Sequence, residues 1–370
     1  MLSKKNKVKI FYTSILLLLV LTLLESIPAQ TPELIPYKKG NTWGFCDANK
    51  KIIIPTKYEE VLPFYEGLAR VKRNGKWGFV NKEGKEVIPC KYSSANDFSQ
   101  GFAAVELKGK WGFIDKKGKT FVPFKYFLVS SFCNGYAVVT VQFSSEFVTY
   151  EKYGYVDSKG KESIPCNYDF AGDFSDGMAH IKLDSNYGFI DKTGKEIIAP
   201  AFEDAGSFQE GLAYVKINGK YGFIDKTGKV TIVCQYDYVY DFNEGFAAVK
   251  LNGKWGFIDK EGKEVIPCKY DAVSSFSQGF TAVKKDGKWG FINSAEKEII
   301  PCIYDDVHAF HEGLAAIKKD GKWGFIDKEG KEVIPCKYEI ASSFNQGLAY
   351  VNLHGNDGYI NQNGTEFWEK

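Results

Sequence analysis

The chain has 370 residues, 16% of them aromatic, far too many for a disordered segment. Its 48 basic and 46 acidic side chains nearly cancel, so it lacks the basic excess of a nucleic-acid binder and no nucleic-acid partner is expected. The 37 glycines follow no collagen period and read as turn punctuation.

Residues 1–29 read as a signal peptide. Lys4, Lys5, Lys7 and Lys9 form a basic region, and Ile10 to Leu24 is a nearly unbroken apolar run. Ser26-Ile27-Pro28-Ala29 then offers a breaker and a small residue for cleavage before Gln30. As a helix the apolar run reaches about 22 Å, short of the roughly 30 Å hydrocarbon core of a bilayer. No other stretch is apolar enough to span, so no membrane span is expected after cleavage. The mature chain is expected to be exported, to the periplasm, the cell surface or the exterior.

From there to residue 370 the chain is one repeat array. The dipeptide of an aromatic anchor and glycine recurs at Trp43, Trp77, Trp111, Tyr153, Tyr187, Tyr221, Trp255, Trp289 and Trp323, with a degenerate tenth copy at Asp357-Gly358. The intervals are 34, 34 and 42, then 34 six times. Residues 245–279 show one unit. Gly245 to Lys250 reads as a strand, Asn252-Gly253 as a two-residue turn with positive φ, and Lys254 to Asp259 as the returning strand. Glu264-Val265-Ile266 starts a third strand that Pro267 should end or confine to an edge. Tyr270, Asp271, Val273 and Phe276 then cross back to the next unit. The expected unit is a three-stranded antiparallel meander.

A lone meander cannot bury its aromatic face, so neighbours must stack. Ten units exceed the usual four to eight blades of a propeller. The expected fold is therefore all-β, with the meanders stacked as an open β-solenoid or superhelix and a β-propeller-like closure as the alternative. The single 42-residue interval places four extra residues on each arm of one hairpin, across 138–150. This hairpin should protrude by about 14 Å. Phe143, Ser144, Ser145, Glu146 and Phe147 at its tip are the candidate contact residues.

Gly-Lys-Trp-Gly-Phe-Ile-Asp-Lys-x-Gly-Lys-Glu-Val-Ile-Pro, as it stands at 253–267 and 321–335, resembles the bacterial WG (or KWG) repeats. The resemblance runs from about residue 33 to 364 and implies a bacterial setting, often exported, with no common activity attached to the family. Departures are the Tyr anchors at 153, 187 and 221, Asp357, and Ala199-Pro200 where other units have Pro-Cys.

Chemistry finds little foothold. Cys90, Cys166, Cys234, Cys268, Cys302 and Cys336 each lie 13 residues after an anchor, a slot that also accepts Thr56, Phe124 and Pro200. They read as buried free thiols, since copies about 10 Å apart exceed disulfide reach. The four histidines occupy unrelated unit positions, so neither a metal site nor a cofactor is expected. No nucleophile elbow or phosphate loop appears, and the chain is not expected to be an enzyme. The anchors read first as inter-unit core and second as a row of stacking platforms. The acid or amide before each unit's glycine, such as Glu244 or Gln278, reads as a turn residue. The leading functional reading is a non-catalytic binding or scaffold protein of the bacterial envelope or exterior, contacting protein or glycan through its repeat surface. The alternative is a purely structural envelope protein.

Overall fold

The computed structural model describes residues 31–369 apart from 146 and 147, so the expected signal peptide at 1–29 lies outside the described residues, as do Glu146 and Phe147. Every described element is a strand, and the strands within each sheet pair antiparallel. Ten small sheets follow one another along the chain. Blade 1 covers 35–58, blade 2 60–92, blade 3 94–126, blade 4 128–168 and blade 5 170–202. Blade 6 covers 204–236, blade 7 238–270, blade 8 272–304, blade 9 306–338 and blade 10 340–361.

The expected hairpin and third strand are present, with one addition. In blade 7 the strands Ala247–Leu251 and Lys254–Ile258 turn at Asn252-Gly253, whose φ values are 52° and 79°. Glu264–Tyr270 continues through Pro267 and forms one edge of the sheet, where a missing donor costs no ladder bond. The other edge is the two-residue strand Tyr238–Val239, which pairs with the first strand of the hairpin. The stretch expected only to cross back therefore contributes the first strand of the next blade. Most blades have four strands rather than three.

The glycine after each anchor follows from this geometry. The ladder between the second and third strands shifts register at Trp77/Phe79, bringing the Ile88-Pro89 backbone close to Gly78. A Cβ there would lie 2.5 Å from the Ile88 carbonyl oxygen and 2.7 Å from the Cys90 nitrogen. Phe79, Ile88 and Tyr92 of blade 2 then bury themselves against Phe98, Ala103, Val105 and Ile114 of blade 3. The deepest ring is thus the Phe two places after the anchor. Phe45, Phe113, Phe189, Phe223, Phe257 and Phe325 have no exposed surface, whereas several anchors stay half-buried.

The ring closes, which corrects the expected open solenoid. Tyr359 of blade 10 joins one core with Ile35, Tyr37 and Cys46 of blade 1, the slots that Ala103, Val105 and Ile114 occupy in blade 3. After Glu366 bridges Ile360, the chain crosses to blade 1, where Trp368 pairs in parallel with Lys38. The Glu369 N–H donates to the Lys38 carbonyl at 3.0 Å, as Glu59 does to Lys72 at 2.9 Å in blade 2. The C-terminal segment therefore fills the edge position that a short strand fills elsewhere. All interfaces are then buried, which an open stack cannot achieve at its ends.

Two side-chain links repeat around the ring. The acid or amide expected to be only a turn residue also ties blade to blade. Glu66 accepts from the Gly101 N–H at 3.0 Å, Gln278 from Gly313 at 3.0 Å, and Glu244 from both Gln278 and Gly279. Asp305 meets the Lys288 ammonium of blade 8 and the Gly321 N–H of blade 9.

Candidate ligand-binding rim

Each four-stranded blade carries a cross-strand row that ends at its short-strand edge. In blade 7 the row is Tyr238, Lys250, Trp255, Tyr270, all directly opposite one another and so on one face. Lys250 lies with its ammonium 5.7 Å from the Trp255 ring centre. The same lysine-on-anchor pair recurs at Trp43, Trp77, Tyr187, Tyr221, Trp289 and Trp323. Seven of the nine aromatic anchors are thus capped by a lysine, whereas Trp111 faces Glu106 and Tyr153 faces Thr140.

Beside this constant row, two positions trade volume. Where the short-strand side carries Gly172 or Gly206, the paired first strand supplies His180 or Tyr214, and a Cβ on either glycine would overlap that ring. Where the first strand carries Ala248 or Ala316, the other side supplies the ring. Tyr240 stacks on Trp255 at 4.8 Å, and His308 packs on Trp323 at 4.7 Å.

This variation builds ring clusters across two blade pairs, Tyr153, Phe170, His180 and Tyr187 in blades 4 and 5 and a larger one in blades 6 and 7. Tyr214, Tyr221, Tyr238, Tyr240 and Trp255 form one connected aromatic cluster. Tyr238 and Tyr240 leave it 46% and 37% exposed. Asp241 turns its Oδ1 toward Gly206 and Tyr214 of blade 6, buried without a hydrogen-bond partner among the described residues. The equivalent pair in blades 2 and 3 is Arg70 with Asp97, joined at 2.6 Å. In blades 5 and 6 it is His180 with Ser207 at 3.4 Å. Tyr214 occupies the arginine's place and leaves Asp241 without a cation.

Burial pushes the Asp241 carboxyl up to about 6. An acid whose folded-state pKa is raised costs stability as pH climbs from its unfolded value near 3.9 through the folded one. Asp241→Asn should therefore stabilise the protein by about 1–3 kcal/mol above pH 6 and by almost nothing below pH 4. Denaturant titration at both pH values checks this, and a variant less stable at pH 7.5 would refute it. His180 has the opposite sense. Burial, opposed by Asp204, lowers it to about 4, so it is neutral at pH 7 and its contribution is lost as pH falls from 6.5 toward 4.

The expected contact hairpin is real as a ladder. Tyr136–Ser144 and Thr149–Asp157 pair without a break to Ser144 opposite Thr149, three residues longer per arm than the six-residue strands of blade 5. Phe143 stacks on Tyr150 at 5.2 Å, with both rings nearly half exposed. Val138 and Val139 are buried in the blade and present no apolar surface. The eight cysteines are free, the six in-register ones as expected. The six in-register thiols are half-buried rather than inaccessible, and Cys90, Cys166, Cys234, Cys268 and Cys302 each direct Sγ at a strand carbonyl. Burial, reinforced by Glu86, pushes the Cys90 thiol up to about 11, an unreactive state. Cys133 is exposed. Among the described residues no helix is long and apolar enough to cross a membrane, and no group of three metal-ligating side chains occurs.

The rim was missed in the sequence because Tyr238, Tyr240 and Asp241 lie outside the Trp-Gly motif. A column-by-column comparison of the units would have found them, since those columns vary while the anchor row holds.

Ten small antiparallel sheets in a closed ring define a β-propeller. The WG containing repeat model matches nine consecutive segments between residues 43 and 356, including 111–141 and 153–187 on either side of the long hairpin. The chain belongs to the WG-repeat family. No curated protein matches it. Among solved structures, the crystal structure of the eukaryotic initiation factor is similar with a TM-score of 0.58 at 10% identity. That likeness covers 82% of this chain and 95% of the other, and it shows a shared fold alone. Hsv2 of Kluyvelomyces marxianus (TM-score 0.38, 12% identity, 64% and 93% covered) and the dihydro-heme d1 dehydrogenase NirN in complex with DHE (0.38, 11%, 74% and 74%) are more distant.

Proposed function

We propose that this WG-repeat propeller is a non-catalytic binding or scaffold protein of the bacterial envelope or exterior, contacting protein or glycan through its repeat surface. The contact lies on the short-strand edge of blades 6 and 7. The observation that carries this reading is the exposed pair Tyr238 and Tyr240 at the edge of the ring cluster shared by blades 6 and 7. Exposed ring faces take the apolar face of a sugar or a partner's aliphatic side chain. Export rests on the basic, apolar, small-residue order of residues 1–29, and N-terminal sequencing of envelope-fraction protein that starts at Met1 would contradict cleavage.

Glycan-array screening and capture from surface extracts test the binding reading together. A saturable partner is expected, with Tyr238→Ser/Tyr240→Ser weakening it at least tenfold, the loss of about 1.4 kcal/mol of stacking. A partner that binds that variant undiminished moves the site elsewhere. Replacing residues 142–151 with Asn-Gly, which keeps Val141 opposite Lys152, separates the two surfaces, because loss of binding there alone points to the hairpin.

A further inference from the structure

The seam where the ring closes holds a cavity of about 660 Å³, within the usual range of small-ligand pockets. It lies between blades 10, 1 and 2. Its walls include Trp43, Tyr350 and Tyr359, and its charged groups are Lys38, Glu59, Glu60 and Asp357. Three carboxylates thus face one ammonium.

The composition follows from two departures from the repeat in blade 10. In seven of the other nine blades the cross-strand row places a lysine opposite an aromatic anchor, as with Lys318 and Trp323, while blades 3 and 4 have Glu106 and Thr140 there. Blade 10 has Asn352 opposite Asp357 in those two positions, bonded at 2.7 Å. The exchange removes a cation and an indole and adds an anion. Tyr350 and Tyr359, edge-to-face at 5.8 Å, line the cavity beside that pair.

We propose that the seam cavity binds a ligand bearing an alkylammonium group, such as a primary diamine or a lysine side chain. Lys38 already shows the chemistry, with its ammonium 5.4 Å from the Trp43 ring centre and 3.8 Å from Asp357. A second ammonium restores the charge the repeat normally carries, and the tyrosine faces attract it. Each carboxylate offers about four acceptor sites. Glu59 uses some on the Gly75 N–H, Glu60 on Lys72 at 3.8 Å, and Asp357 on Asn352, Tyr350 and Lys38, so acceptor capacity remains. The acidic lining disfavours phosphate and carboxylate ligands.

Isothermal titration of the mature chain with 1,4-diaminobutane, against 1,4-butanediol at matched ionic strength, tests this. Saturable binding of one diamine and none of the diol is expected. Asp357→Asn, nearly isosteric, should weaken the diamine at least tenfold, as loss of a charge-assisted bond does. Asn352→Lys/Asp357→Trp, which rewrites the row to the repeat's consensus, should abolish binding while keeping the unfolding midpoint. Absence of diamine binding, equal binding of the diol, or full binding by either variant overturns the proposal. If the double variant does not fold, Asp357→Asn decides alone. None of these outcomes bears on the blade 6–7 rim, which shares no residue with the cavity.

Discussion

Removal of residues 366–370 is expected to destabilise the protein by at least about 6 kcal/mol, from the usual 3–5 kcal/mol for each large buried ring lost. Phe367 has no exposed surface and Trp368 only 6%. The deletion also removes the Glu366 bridge to Ile360, the ion pair of Glu366 with Lys337 at 2.7 Å, and the edge pairing on Lys38. A loss of this size is comparable to the whole stability of many domains. Blades 1 and 10 should then exchange their amide protons first, since each loses the neighbour that covers one face. Unchanged exchange in those blades, with an unchanged unfolding midpoint, would show that the segment is not a latch.

The second large effect is expected from Gly78→Ala, at about 3 kcal/mol, the upper part of the range for overpacking. Its backbone is not in the left-handed region, so the cost is one of space alone. The added Cβ meets backbone, at 2.5 Å from the Ile88 oxygen and 2.8 Å from the Pro89 carbon, and backbone cannot turn aside as a side chain can. Urea unfolding measures it, and a change below about 0.5 kcal/mol, the scatter of ordinary surface substitutions, would mean that the third strand slides freely past the anchor.

Much of the blade was legible because it is local. Asn252-Gly253 announced its turn, Pro267 its edge strand, and the 42-residue interval its long hairpin, each through chemistry confined to a few neighbouring residues. Closure was not legible, because it depends on Trp368 pairing with Lys38 across almost the whole chain. A repeat pattern states that neighbours stack and leaves open the small rotation between them, which decides whether ten units curve into a ring. The short strands were missed for a related reason. Two residues such as Tyr238–Val239 carry no periodicity and gain their identity only by pairing with the next unit's hairpin. With that pairing unseen, Gly172 opposite His180 and Tyr240 opposite Ala248 could not be read as one exchanged volume, and the aromatic rim stayed hidden.

Ring closure is tested most directly by the distance between spin labels on cysteines replacing Asn41 and Asn356, with the exposed Cys133 changed to Ser. Gly40 and Asn356 line the same small cavity at the seam, so a closed ring gives one short distance set by the label tethers. An open stack of ten sheets about 10 Å apart would hold the labels about 90 Å from each other, and a distance near that value would contradict the propeller.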